Sequence, residues 1–257
     1  MLDARDEVSF AHGHPEGAGR LTIEEFSTRR MELPARETAL LVVHDAPAHA
    51  FAAAEELVAR GYEHASWLEA PLAEDGMGRV SDAPAARLWS PSPFVERAVE
   101  RLPRGRALDL ACGSGRAAVF LALAGWQVEG WDVDPSALER ARDFAARQHV
   151  PVLTREIDLE AAPPAEPTVP FDLIVVVRYL HRPLFPWLER ALGPGGRLVY
   201  ETFRDGQQHF GPPRRAQHLL RPGELRVAFP SLVVERYEET SGDAPPLLAR
   251  LVARKPR

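Results

Sequence analysis

The chain has 257 residues, 45% of them hydrophobic and 26% charged, the proportions of an ordinary globular protein with room for one large domain or two small ones. Its net charge of −6 argues against a nucleic-acid backbone as the main partner, and no apolar run approaches the roughly 18 residues of a membrane span. The single cysteine, Cys112, excludes an intrachain disulfide, and the acidic start Met-Leu-Asp-Ala-Arg-Asp-Glu is no signal peptide, so a soluble, cytoplasmic protein is expected.

The first elements are short. Ala39–Val43 reads as a buried strand, Phe51–Arg60 as an amphipathic helix closed by Gly61, and His64–Leu68 as a further strand. Residues 83–95, with three prolines and no long apolar period, read as a linker or extended arm. Beyond it, strand and helix signals alternate, which implies a parallel, doubly wound sheet. Ala107–Ala111 is a predicted strand and Arg116–Ala124 a helix. Gln127–Trp131 is the next strand, then a helix over Pro135–Gln148 with Asp134 as N-cap. Strands follow at Val150–Ile157 and Phe171–Val177. A helix at Leu184–Leu192 is closed by Gly193-Pro-Gly-Gly196, and Arg197–Thr202 is a strand. A short helix at Pro222–Phe229 precedes a closing antiparallel pair, Leu232–Tyr237 and Leu247–Ala253.

The chemistry concentrates in Arg106-Ala-Leu-Asp-Leu-Ala-Cys-Gly-Ser-Gly-Arg116. A strand ending in a carboxylate, a glycine turn and a helix open a nucleotide-binding unit. Gly113-Ser-Gly115-Arg-Ala-Ala118 formally fits a nicotinamide-binding turn, but that match alone is weak. Asp109 discriminates. A dinucleotide brings an anionic pyrophosphate to the helix N-terminus. S-adenosylmethionine brings an ammonium and a sulfonium, which a carboxylate attracts. Asp132, 19 residues after Gly113, suits a ribose diol in either cofactor, and Asp158 suits an adenine amino group. Cys112 reads as a small packing residue in the turn, and Asp172 as a residue that caps or orients its strand.

Asp109-Leu-Ala-Cys-Gly-Ser-Gly resembles the first motif of class I S-adenosylmethionine-dependent methyltransferases. Trp131-Asp-Val-Asp-Pro-Ser-Ala-Leu-Glu-Arg-Ala141 resembles their second, Phe171–Val177 their fourth strand, and Leu192-Gly-Pro-Gly-Gly-Arg-Leu198 the turn before their fifth. The resemblance covers roughly residues 93–257. It implies a seven-stranded Rossmann-like sheet whose last strand is antiparallel. It also implies S-adenosylmethionine as cofactor, held by Asp109, Ala111, Gly113, Gly115, Arg116, Asp132, Val133, Asp158 and Leu159.

Ligands of open α/β sheets sit beyond the carboxyl ends of the strands, so the acceptor site is expected after the fourth and fifth. There Arg178, Tyr179, His181 and Arg182 form a polar cluster, with arginines suited to an anion and His181 to the role of base. The run Tyr179-Leu-His-Arg-Pro-Leu-Phe-Pro and the later Tyr200-Glu-Thr-Phe resemble the tellurite-resistance type of methyltransferase. The expected activity is methyl transfer to a small, anionic acceptor by in-line displacement. The alternative is a cofactor-binding sensor or scaffold without catalysis.

Residues 2–18, with Asp-Ala-Arg, Phe10, Gly13-His14 and Gly17-Ala18, resemble the start of a rhodanese domain, and Leu41-Val-Val-His-Asp45 continues the pattern. The domain looks truncated, or its start lies upstream. His44 or Asp45 stands where the sulfur-carrying cysteine belongs, so sulfur transfer is excluded there. A packing, dimerisation or lid role remains. His12, His14, His44 and His49 fit no standard metal spacing, and no metal is expected. The expected domains are 1–82, rhodanese-like and cysteine-less; 83–95, a linker whose Trp89 and Phe94 cover the cofactor; and 96–257, the methyltransferase. The expected partners are a small-molecule acceptor and, through the first domain, a second copy of the chain, with neither nucleic acid nor membrane.

Overall fold

The computed structural model describes residues 1–72, 78–81, 83–240 and 244–257. The chain divides into two compact units, Met1–Ser90 and Pro91–Arg257. Asp82, where the first domain is expected to end, lies outside the described residues.

The first unit is a small parallel-sheet α/β domain. Its strands are β1 (Leu2–Asp3), β2 (His14–Pro15), β3 (Gly19–Arg20), β4 (Leu40–Val43), β5 (Ala65–Trp67) and β6 (Arg79–Val80). Its helices are α1 (Glu7–His12) and α2 (Pro47–Ala59). The sheet order is β3-β1-β4-β5, all parallel, with β2 and β6 paired separately and antiparallel. Leu2, Val42, Ala50, Ala53, Leu57 and Phe26 form its core. Beneath it lies a buried ion pair. Arg5 bonds Asp3 at 2.7 Å, reaches Asp45 at 3.2 Å in the loop after β4, and donates to the Gly13 carbonyl at 2.8 Å. The proline-rich segment is stitched to this unit. Ala86 donates to the Ala18 carbonyl, and a Cβ on Gly19 would lie 2.3 Å from Leu88 and 2.5 Å from the Ala86 carbonyl oxygen.

The second unit carries β7 (Arg106–Leu110), β8 (Gln127–Asp132), β9 (Val152–Glu156), β10 (Phe171–Val177), β11 (Leu192–Phe203), β12 (Val233–Glu239) and β13 (Leu248–Arg254). Its helices are α3 (Pro93–Val99), α4 (Arg116–Leu123), α5 (Pro135–Arg147), α6 (Phe185–Ala191) and α7 (Glu224–Val227). They build one seven-stranded sheet in the order β12-β13-β11-β10-β7-β8-β9, in which β13 runs antiparallel to both neighbours.

Alternation along the central strands assigns the two cores. Leu173 and Val175 of β10 join Ala107, Val199, Phe94, Val95 and Leu121 on one face. Ile174 and Val176 join Leu108, Leu198, Tyr200, Trp187 and Leu188 on the other. This explains the unbroken apolar run of β10, which is covered on both faces and flanked by parallel strands. Phe94 is therefore not a cofactor cover. It opens α3 and packs, 1% exposed, into the first of these cores.

The Gly-Pro-Gly-Gly run also departs from expectation. β11 begins at Leu192, directly after α6, and the glycines form an irregularity within the strand. The pairing with β10 jumps from Phe171↔Leu192 to Leu173↔Arg197. The run stays hydrogen bonded: Gly195 donates to the Lys255 carbonyl and Lys255 to that of Gly196. The left-handed backbone of Gly195, φ 78°, lets the chain bulge without leaving the sheet.

Candidate active site

The chain builds β7, β8 and β9 outward in one direction, then returns to place β10 and β11 on the other side of β7. The reversal between β7 and β10 is the topological switch point where open α/β sheets bind ligands. The first residue past each strand lies in the left-handed region although neither is glycine: Ala111 at φ 56° and Arg178 at φ 57°. Such strain costs about 1–3 kcal/mol per residue and persists only where the surroundings enforce it. At Arg178 the backbone N–H is held by the Glu201 carbonyl at 2.7 Å, and at Tyr179 the carbonyl accepts from the Tyr200 hydroxyl at 3.0 Å.

Around the glycine turn the polar groups satisfy one another. Asp132 accepts from the Gly113 N–H at 2.7 Å and from the Asp134 N–H at 3.0 Å, tying the turn to the end of β8. Asp109 is 2% exposed and accepts from the Ala118 N–H at 2.8 Å. It thus supplies the cap that Gly115, the N-cap residue of α4, lacks a side chain to give. Burial is the main cause that pushes the Asp109 carboxyl up to about 7; the Asp132 charge adds to it, while the Ala118 bond opposes it. The two glycines have different reasons. At Gly115, φ 80°, a Cβ would lie 2.8 Å from the Cβ of Ala141, so only glycine lets α4 and α5 approach. At Gly113, φ 53°, a Cβ would meet nothing within 4 Å; the backbone there faces open space.

Cys112 is held as a packing residue. Its N–H donates to the Trp131 carbonyl, its Sγ would stand 3.0 Å from a Cβ on Gly130, and burial pushes its thiol far up. Asp158 is exposed, with one oxygen accepting from the Glu160 and Ala161 N–H groups and the other left without a backbone bond. Val133 is 56% exposed beside Asp132. Leu159 is different: it is 5% exposed and packed in the core, which removes its side chain from any cofactor surface. Arg116 opens α4 directly after the turn.

On the acceptor side the predicted cluster splits. Arg178 is exposed, makes no ion pair among the described residues, and lies over the Phe203 ring at 5.8 Å. Tyr179 is half-buried with its hydroxyl sealed from water and unbonded, and burial together with Glu160, Asp158 and Asp132 pushes that hydroxyl up. His181 makes no side-chain cap to the turn that follows it. Arg182 does not belong with them. Its guanidinium bonds both carboxylate oxygens of Glu224 at 2.5 and 2.9 Å and the carbonyls of Gln217 and Leu219 at 2.8 and 2.9 Å. Those four bonds clamp the segment before α7 and leave it almost no donor for a substrate. No sequence signal near Arg182 marks this, because Glu224 lies 42 residues away.

Asp172 is a strap between strands: it accepts from the Arg106 N–H at 2.8 Å. In the first unit His14 stacks on Phe10, His44 on His49, and His12 bonds the Val8 carbonyl, and no group of three metal-ligating side chains converges among the described residues. Among the described residues no helix is long and apolar enough to cross a membrane.

Residues 107–196 match the family described as "Methyltransferase domain". Over 99 residues the chain is 41% identical to the ribosomal protein L11 methyltransferase of Thermus thermophilus, covering 38% of each protein. This stretch of the second unit is therefore similar to methyltransferase domains. Its fold is shared with TehB from Haemophilus influenzae, at TM-score 0.54 and 20% identity over 63% of this chain and 61% of that one. It is shared too with the N-methyltransferase NodS from Bradyrhizobium japonicum in complex with S-adenosyl-L-homocysteine, at TM-score 0.52 and 22% identity over 64% and 84%. The chain spans less than two thirds of the length of the curated relatives it matches first. The residues around the turn fit S-adenosylmethionine, the cofactor that the sequence motifs imply. Gly113 leaves open backbone at the turn, and the carboxylates of Asp109 and Asp132 converge behind it. The first unit is a small parallel-sheet α/β domain.

Proposed function

We propose that the chain moves the methyl group of S-adenosylmethionine to a small anionic acceptor held beyond the carboxyl ends of β10 and β11. Arg178 carries the reading. It is the exposed cation at the switch point, without a carboxylate partner among the described residues, on a backbone held in place by Glu201. A guanidinium so placed binds carboxylate or oxyanion in a planar, directional way. S-adenosylmethionine supplies a methyl group on a sulfonium, already a good leaving group. The protein's task is therefore alignment and exclusion of water. Arg178 orients the acceptor, Tyr179 walls the site, and His181 takes a proton when the acceptor begins protonated. Asp132 serves the ribose, Asp158 the adenine amino group through its remaining oxygen, and Asp109 the cationic end.

The test is S-adenosylhomocysteine release across oxyanions, thiols and small carboxylates. Arg178→Ala should lower turnover at least tenfold, the scale of one charge-assisted contact, while leaving S-adenosylhomocysteine affinity within about twofold. Equal loss of both would assign Arg178 to the cofactor. Tight cofactor binding with no turnover on any acceptor would make the chain a sensor instead.

The same reading takes the first unit as rhodanese-like, on the Asp3–Arg5 pair and the His44-Asp45 loop after β4. Lacking a thiol, it serves packing or pairing of two copies in a reducing cytoplasm. Thiosulfate-to-cyanide sulfur transfer by the full chain would sink that assignment, and a monomer in sedimentation velocity would sink the pairing.

A further inference from the structure

The reading above leaves the proton of a protonated acceptor to His181. The fold presents a second candidate on β11. Alternation along the central strands puts Ala107, Val175, Val199 and Val252 on the face that packs against α3 and α4. Asp109, Val177, Glu201 and Arg250 stand two residues from them on the same strands, and so on the same face. The bond from the Ala118 N–H of α4 to Asp109 agrees with that placement. Val177, Glu201 and Arg250 pair across neighbouring strands. Glu201 therefore stands at the carboxyl end of the sheet, two strand spacings or about 10 Å from β7 and its glycine turn.

Glu201 is a buried carboxylate with one oxygen to spare. It is 3% exposed, and its Oε2 accepts from the Arg250 Nε at 2.5 Å. Its Oε1 makes no hydrogen bond among the described residues and, unlike the Tyr179 hydroxyl, is not sealed. A buried carboxylate ordinarily has both oxygens satisfied by the protein. Arg250 holds one and leaves the other open at the strand end. Arg178 is on the same side of β11. Its guanidinium stands over the ring of Phe203, two residues beyond Glu201, and the two charges form no ion pair. The backbone keeps them adjacent, through the Arg178 N–H on the Glu201 carbonyl.

We propose that Glu201 is a catalytic base of the methyl-transfer site, and that the acceptor carries two groups: an anion for Arg178 and an O–H, S–H or N–H on the atom to be methylated. This rests on the methyl-transfer reading and moves the proton from His181 to Glu201. Glu201 Oε1 takes the proton from the acceptor atom. The electron pair of that atom forms the bond to the methyl carbon, and the carbon–sulfur bond breaks with its pair going to sulfur. The products are the methylated acceptor, S-adenosylhomocysteine and a protonated Glu201, which returns its proton to water. An acceptor atom that is already an oxyanion would instead meet the carboxylate with like charge.

The experiment measures S-adenosylhomocysteine release by the full chain from matched acceptors, 4-hydroxybenzoate against benzoate and mercaptoacetate against acetate. Calorimetry with S-adenosylhomocysteine verifies folding. The member with the hydroxyl or thiol should turn over at least about 100-fold faster than its counterpart, the scale of one positioned base. Glu201→Gln should lower that turnover by about 100-fold near neutral pH and leave S-adenosylhomocysteine affinity within about twofold. The deficit on 4-hydroxybenzoate should shrink toward about pH 10, where a phenol ionises without help. Loss of a structural ion pair alone would show no such recovery. The matched acceptors are compared in the parent protein, so they still decide if Glu201→Gln fails to fold. Equal turnover of both members overturns the proposal. So does turnover that Glu201→Gln leaves unchanged while His181→Gln removes it. Either result keeps the methyl-transfer reading, whereas no turnover of any of these acceptors by protein that binds S-adenosylhomocysteine overturns both.

Discussion

The two halves of the carboxyl edge of the methyltransferase sheet are built in opposite ways. On the side of β7 and β8 the functional groups are already bonded to the protein. Asp132 holds the glycine turn and Asp109 caps α4, so the turn has its shape before any ligand arrives. On the side of β10 and β11 they are left over: Arg178 without a carboxylate, Tyr179 with an unbonded hydroxyl. A turn that is shaped in advance beside an unpaired cation is the arrangement expected of the proposed cofactor and acceptor sites. The sharpest way to break this contrast is at the glycines. Gly115→Ala must relieve a 2.8 Å contact with Ala141 on a backbone at φ 80°, and should cost about 2–4 kcal/mol in denaturant titration. Gly113→Ala carries the left-handed penalty without the clash, about 1–2 kcal/mol, yet its new methyl group occupies the open space proposed for the cofactor. It should therefore lose more S-adenosylhomocysteine affinity than its stability loss would suggest. Equal affinities for Gly113→Ala and the parent would remove Gly113 from the cradle.

The contrast also explains what could be read from the chain beforehand. The cofactor half is local: Asp109, Gly113, Gly115 and Asp132 lie within 24 consecutive residues, and their bonds run to one another or to the adjoining helix. The apolar run of β10 and the cap at Asp134 are equally local, which is why both elements could be read from the chain. The acceptor half depends on partners far along the chain. Arg182 and Arg178 look alike in sequence, four residues apart on the same loop, and only Glu224 tells them apart. The core positions of Phe94 and Leu159 are hidden for the same reason: an apolar residue beside a motif takes whichever face the tertiary fold gives it. The glycine bulge of β11 was hidden because its hydrogen bonds go to Lys255, about sixty residues away.

Arg182 and Arg178 therefore offer the next test. Arg182→Ala deletes a bidentate pair and two carbonyl bonds. Its side chain is 36% exposed, so solvent screening reduces the loss to about 1–2 kcal/mol of stability. Turnover per folded molecule should hold. Arg178→Ala should do the reverse, holding stability and losing turnover. A paired measurement of thermal midpoint and kcat separates them, and identical profiles for the two variants would dissolve the distinction between clamp and acceptor ligand.

The smallest effect expected is a proton. Asp109 titrates near 7 in the folded protein because burial penalises its charge, against an ordinary carboxylate value near 4 when unfolded. Between those values the folded state holds a proton that the unfolded state has lost. The contribution of Asp109 to stability is therefore fully present below about pH 4, falls as pH rises toward 7, and is flat above. Cofactor binding works against that trend. The ammonium and sulfonium of S-adenosylmethionine favour the ionised carboxylate, so the cofactor must displace a proton at pH 6 and hardly any at pH 8. Affinity should rise severalfold, at most about tenfold per pH unit, between pH 6 and 7.5 and then level. The calorimetric heat at pH 6 should depend on the ionisation enthalpy of the buffer. S-adenosylhomocysteine lacks the sulfonium charge and should show a shallower rise. Asp109→Asn keeps an oxygen for the Ala118 N–H but has no proton to lose, so its affinity should be lower and flat with pH. A rise that survives in Asp109→Asn would mean that Asp109 does not sense the charge of the cofactor.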